Sequence, residues 1–151
     1  MAAILVDTPL GRLRVSESGG AITALAWGGE PDGAQCAVLD KARRQLAAYF
    51  AGDLREFDLP LHVEGSDFQR AVCAAMQAIP LGETRSYGEL ATALGVPAQA
   101  VGQACGGNPI PVIIPCHRVL GASGLGGYSG AGGIETKVAL LRHEGAAGLL
   151  I

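Results

Sequence analysis

An α+β fold, a small antiparallel sheet with one helix followed by a mainly helical unit, is what the patterning of this chain predicts. Three observations carry that reading. Short β-rich runs separated by tight-turn residues fill the first 27 positions. Apolar residues then recur at helical spacing from residue 36. Two Ser-x-x-Glu/Gln signatures open further helices beyond residue 65.

The elements follow in order. Ile4–Val6, Leu13–Val15 and Ile22–Trp27 read as strands of a meander, with turns at Thr8-Pro9-Leu10-Gly11 and Gly19-Gly20. Residues 36–50 read as a helix burying Leu39, Ala42, Leu46, Tyr49 and Phe50, and Ala51-Gly52 ends it. Residues 54–64 read as an edge strand and a linker, dividing the chain into domains 1–62 and 63–151. Ser66-Asp67-Phe68-Gln69 opens the next helix, with Phe68, Val72, Met76 and Ile79 on one stripe. Ser86-Tyr87-Gly88-Glu89 opens another, which carries Leu90, Ala91 and Leu94 to a stop at Gly95. Pro97 starts a third as a first-turn proline, running to about Cys105. Two short helices around Gly95 have helix-turn-helix spacing, although two ordinary packed helices share that pattern. The apolar run Pro111–Pro115 reads as a short buried strand. A last helix over 134–144 turns Ile134, Val138 and Leu141 inward.

Composition narrows the function. With 49% hydrophobic residues, 151 positions suffice for one compact core or two small domains sharing one. No apolar run approaches the ~20 residues of a membrane span, and no secretory signal opens the chain, so the expectation is a cytoplasmic protein. Cys36, Cys73, Cys105 and Cys116 form no Cys-x-x-Cys pair and suit a reducing compartment. The three histidines lack zinc-finger spacing, and neither a metal nor a cofactor is expected. Net charge is −3, from six basic and eight acidic residues up to position 60 and five and six beyond it. Neither part is basic, so any contact with nucleic acid must rest on a few local arginines or a helix end.

The chemistry concentrates in Pro111-Val-Ile-Ile-Pro-Cys-His-Arg-Val119. Pro115 biases Ile114 to an extended shape and stiffens the mount of Cys116. A lone buried cysteine is most often only a small hydrophobe. A thiol on a stiff mount beside a histidine also suits nucleophilic attack. His117, next in an extended chain, would point away from Cys116 and act on it more easily through a water. Glu144, in the last turn of a helix, opposes the macrodipole at a cost of roughly 0.3–1 kcal/mol. It is either a tolerated surface charge or the group that orients His117. The glycine cluster Gly121–Gly133 is too interleaved with Leu125, Tyr128 and Ser129 for a linker, and reads as a loop close to a ligand.

Gly106-Gly107-Asn108-Pro109, Pro115-Cys116-His117-Arg118-Val119, the glycine cluster and His143-Glu144-Gly145 together resemble the O6-alkylguanine-DNA alkyltransferases, also called methylated-DNA–protein-cysteine methyltransferases. The resemblance runs from about Ser66 to Gly145. It implies a ribonuclease-H-like N-terminal part and a winged-helix-like C-terminal part with a helix-turn-helix and an active-site loop. It also implies irreversible transfer of an alkyl group from O6-alkylguanine in duplex DNA, with O4-alkylthymine as a second candidate, to Cys116 of a monomer. His117 and Glu144 would complete a Cys–water–His–Glu relay, and Tyr87 would donate a proton to the departing guanine. Asn108 would brace the turn before the active-site segment, Tyr128 and Ser129 would line the base pocket, and Arg118 would brace structure beside the DNA-binding residues. Gln99 stands where relatives carry an arginine that enters the duplex, and it brings no charge. A different class of function, a lesion-binding protein that recruits repair factors, is implied by relatives that replace the cysteine. Cys116 argues against it.

Overall fold

A computed structural model describes residues 1–33, 35–121, 124–128 and 132–146. Strands β1 (Ala2–Thr8), β2 (Gly11–Ser18) and β3 (Ala21–Trp27) form the expected antiparallel meander in the order β1-β2-β3. The pairs Ile4↔Val15 and Val6↔Leu13 place one apolar face inward. Helix α1 (Ala37–Phe50) covers that face with Leu39, Ala42, Leu46 and Tyr49, as the spacing predicts. The edge strand expected near residue 60 shrinks to a single bridge between Ile22 and Leu61. Pro60 has no N–H to extend a ladder, and only its carbonyl is used, by Ile22.

Helix α2 (Asp67–Gln77) starts where the Ser66 hydroxyl accepts the Gln69 N–H at 3.0 Å. Helix α3 (Tyr87–Leu94) begins with both halves of its capping box in place, and Gly95 ends it at φ +69°. Helix α4 (Ala98–Gly106) packs beside it, with Pro97 as the N-cap rather than the first helical residue. Two-residue strands β4 (Arg85–Ser86) and β5 (Val119–Leu120) pair in parallel. Helix α5 is Ile134–His143.

Two further expectations fail. Residues 111–115 are buried but are not a strand. The Asn108 side chain accepts from Ile110 N–H and donates to Ile114 O, and Ile114 N–H returns to Ile110 O at 2.8 Å. That bracket closes the segment into a turn and forces Val112 to φ +73°, a conformation costing a β-branched residue about 1–3 kcal/mol. Packing pins it there, since Ile110, Val112 and Ile114 are all buried. In α5 the phase is partly wrong: Leu141 faces inward as expected, but Ile134 is exposed and Val138 only half-buried, with Lys137 and Leu140 turned inward instead. A buried lysine displaced the apolar stripe by one position.

Candidate active site

Pro115 turns the chain at φ −81°, ψ 67°, and Cys116 N–H closes this inverse γ-turn on Ile114 O at 2.8 Å. A 3-10 turn, Cys116–Arg118, follows directly. It is therefore a pair of tight turns, and not an extended strand, that delivers Cys116, His117 and Arg118 into three different environments. The bracket made by Asn108 is the stiff mount expected from the prolines. It also anchors to the sheet, because Leu25 of β3 donates to Pro109 O at 3.0 Å.

Cys116 lines a cavity of about 330 Å³ with Tyr87, Gly102, Cys105, Gly106, Gly127 and Tyr128. Tyr87 comes from the start of α3, the two glycines and Cys105 from α4, and Tyr128 and Gly127 from the glycine-rich loop. A Cβ on Gly102, Gly106 or Gly127 would meet nothing within 4 Å, so these positions open the cavity mouth. Gly126 is different: it sits at φ +71°, and a Cβ there would lie 3.0 Å from the Tyr87 ring. The phenol oxygen of Tyr128 is buried without a protein partner, and its ring meets Trp27 edge-on at 6.3 Å. Ser129, expected beside it, lies outside the described residues.

Behind the cysteine sits a buried polar cluster. Glu144 accepts from His117 Nε2 at 2.7 Å and from Arg118 Nε at 2.8 Å, with a second Arg118 nitrogen at 3.0 Å. Tyr49 of α1 donates its phenol hydrogen to the same carboxylate at 2.6 Å. Arg118 also donates to Ile79 O, so its guanidinium is committed to bracing the end of α2. The cluster settles the histidine tautomer. A carboxylate only accepts, so Nε2 carries the hydrogen and Nδ1 is left as the basic nitrogen, buried and without a protein partner.

Electrostatics assign the protonation states. Burial pushes the Cys116 thiol above its ordinary value, opposed by the Asn108 amide and the Lys137 charge, so the resting group is a thiol. Burial also lowers His117, against the pull of Glu144, leaving a neutral imidazole able to accept a proton. Glu144 is held down at about 2 despite its burial, through its bonds to His117 and Arg118. Burial raises the Tyr87 phenol, so it remains protonated and able to donate.

Sequence reasoning missed Lys137 as a member of the site. Lys137 of α5 is fully buried, and its ammonium donates to Val119 O at 2.7 Å, Gly127 O at 3.0 Å and Leu125 O. It also lies 5.9 Å from the Tyr87 ring centre. Burial lowers its pKa to about 8, and the neighbouring Cys116 and Cys105 partly restore it. One side chain thus ties the loop that carries Gly127 and Tyr128 to β5. The signal was present in the spacing: Lys137, Leu140, Leu141 and Glu144 stand at i, i+3, i+4 and i+7, one face of one helix.

Gln99 lies exposed near the start of α4. The described residues hold no group of three or more His, Cys, Asp or Glu able to bind a metal. No helix among them is long and apolar enough to cross a membrane.

Comparison with known proteins decides the family. Residues 67–146 match the model of the 6-O-methylguanine DNA methyltransferase DNA-binding domain, and residues 1–63 that of its ribonuclease-like domain. The chain belongs to the 6-O-methylguanine DNA methyltransferase family. The methylated-DNA–protein-cysteine methyltransferase of Mycobacterium tuberculosis is 47% identical over 154 residues, covering 92% of this chain and 89% of the relative. The constitutive enzyme of Bacillus subtilis is 40% identical, covering 91% and 92%. Among solved structures, the M. tuberculosis OGT in complex with DNA superposes with a TM-score of 0.85 at 46% identity, covering 96% of this chain and 93% of that one. The α+β architecture expected from the sequence is that of this family, and DNA repair by alkyl transfer is its activity.

Proposed function

We propose that the chain is a monomeric, cytoplasmic, single-turnover transferase that moves the alkyl group of O6-alkylguanine in duplex DNA to Cys116 Sγ. O4-alkylthymine is its second candidate substrate. The observation that carries the reading is a neutral thiol facing an open cavity, backed by an imidazole whose Nε2 is fixed by Glu144 and whose Nδ1 is free to accept a proton. A buried thiol that rests protonated needs such a base.

The lesion must leave the stack before a cysteine beneath a cavity can reach it. Tyr128 and Gly127 on the loop and Tyr87 on α3 would then surround the extruded base. The thiol proton passes, through a bridging water, to His117 Nδ1. Glu144 stabilises the imidazolium that results. Cys116 Sγ attacks the alkyl carbon, so one S–C bond forms as the O6–C bond breaks, and both electrons of that bond stay with guanine. Tyr87 gives the departing base a proton, offsetting its developing charge, and the proton held by His117 then returns through water to the Tyr87 phenolate. The reaction balances with no cofactor, and the thioether product leaves the protein spent. Labour divides at about residue 62: the first domain buttresses the site, and the second carries the acceptor and the DNA-facing helices.

The test is intact and peptide mass after mixing with duplex DNA bearing one O6-methylguanine. One methyl on the Cys116 peptide, with guanine restored in the DNA, is the expected result. Cys116→Ser should bind the lesion and transfer nothing. Tight lesion binding by the unaltered protein without a mass change would replace the transferase reading with that of a lesion sensor.

A further inference from the structure

Tyr49 is a buried titratable side chain that contacts the relay and yet has no part in the chemistry above. It lies on α1, 95 residues from Glu144 in sequence, and only 1% of its surface is exposed. A tyrosine at a helical core position is ordinarily just packing. Here its hydroxyl reaches Oε2 of Glu144 at 2.6 Å, and Oε2 is the oxygen that holds His117 Nε2 at 2.7 Å. The contact is over-determined from several sides. His143 Nε2 bonds the Tyr49 carbonyl oxygen at 2.6 Å, and the two rings meet edge-on at 4.9 Å. Phe50 and Phe57 pack on the same phenol at 4.9 and 5.3 Å.

The chemistry of that arrangement is directional. A carboxylate offers about four acceptor positions and no donor, so the phenol donates. Oε2 then shares its charge among His117, Tyr49 and one Arg118 nitrogen, while Oε1 takes Arg118 Nε. Burial and the neighbouring carboxylate both raise the phenol's pKa, so it stays a donor throughout the working pH range. Each donor on Oε2 withdraws carboxylate charge from the imidazole.

We propose that Tyr49 is a positioning residue of the relay: the N-terminal half of the chain supplies a hydrogen bond that orients Glu144 and tunes the basicity of His117. This rests on the transferase reading. Among the described residues, the other charged or titratable groups facing His117 are Lys137 of α5, Glu144 at its C-cap, and Arg118 and Cys116 of its own turn. None of them comes from α1. Removing the phenol hydroxyl leaves more carboxylate charge for the imidazolium, so His117 should protonate at higher pH and stop accepting the thiol proton sooner.

The experiment is the pH dependence of the single-turnover methyl-transfer rate, with full-length protein and O6-methylguanine duplex. Tyr49→Phe should move the acidic limb upward by about half a pH unit, a roughly threefold lower rate at a pH on that limb. Replacing Tyr49 with 3-fluorotyrosine, a stronger donor of nearly the same shape, should move the limb the other way. Phe50→Leu, which trims the same seam without touching the carboxylate, should lower Tm and leave the profile in place. Superimposable profiles for unaltered, Tyr49→Phe and fluorotyrosine proteins would overturn the inference and leave the transferase reading intact. Failure of the unaltered protein to transfer methyl would overturn the transferase reading and this inference with it. If Tyr49→Phe does not fold, the fluorotyrosine shift alone decides.

Discussion

The two faces of the cavity are built on opposite principles. Behind Cys116 lies a buried cluster in which Glu144 accepts from His117, Arg118 and Tyr49, and Lys137 donates to three backbone carbonyls. In front lies α4, whose exposed Gln99 and open Gly102 and Gly106 bring neither charge nor bulk. The rear face fixes groups to within a hydrogen bond. The front face only clears space. Chemistry on one atom of one base needs a fixed nucleophile and base. Approach to DNA can instead draw on shape, backbone N–H groups and a helix terminus, at the expense of affinity. The contrast implies that damage to the rear should destroy function and stability together, whereas changes at the front should tune binding.

The largest effect is expected at Glu144. Glu144→Ala leaves Arg118 buried without its partner, which should cost about 3–5 kcal/mol of stability as well as the transfer activity. Thermal unfolding and the single-turnover rate read the two losses. The unaltered protein should show the same dependence through pH. The folded-state pKa of Glu144, near 2, lies below its ordinary 4.5. Its contribution to stability is therefore complete above about 4.5 and is lost as pH falls toward 2. Denaturant titrations across that window should show the loss. A stability independent of pH there would mean that the carboxylate is not held as the geometry requires.

Lys137 separates fixing from mere filling. Lys137→Met keeps the volume and removes a buried charge, but it leaves the carbonyls of Val119, Leu125 and Gly127 without their donor. Stability should fall by about 1–3 kcal/mol, since unsatisfied acceptors offset the relief of burying no charge. Transfer should also fall, by about tenfold, because the loop beside Tyr87 loses its tether. Faster amide exchange at Leu125 and Gly127, with α1 unchanged, would locate the effect in the loop. A loss of stability with an unchanged transfer rate would make Lys137 only a core residue.

The same contrast explains what the sequence revealed. Strands, α1 and the capped helices were legible because apolar periodicity and caps are local signals. Cys116, His117 and Asn108 were legible because they share one short segment. Tyr49 was read as core because helical spacing reports burial and is silent about what a hydroxyl touches 95 residues away. The Pro111–Pro115 turn was missed because the bracket comes from a side chain, Asn108, outside the apolar run. The phase of α5 was missed because apolar spacing cannot register an inward face that carries a lysine and leads to a buried glutamate. Had Glu144 set the phase, Lys137 would have followed on the same face.

The smallest effect, and the one that tests the front face, is Gln99→Arg. Net charge is −3 and α4 has no basic residue, so this helix itself brings no side-chain charge to DNA. One arginine that reaches a phosphate should steepen the log–log salt dependence of binding by about 0.9. Over a fourfold drop in salt, the ratio of variant to unaltered affinity should therefore rise about three- to fourfold. Transfer should quicken if the guanidinium also takes the space of the extruded base, a role a charged plane fills better than an amide. Fluorescence anisotropy at several salt concentrations, beside the single-turnover rate, distinguishes these contributions. A steeper salt slope with an unchanged rate would mean that the arginine contacts phosphate only, and that the glycine-lined cavity already admits the base unaided. No change in either would mean that residue 99 does not face the duplex, and the front of the cavity would have to be sought along another edge of α4.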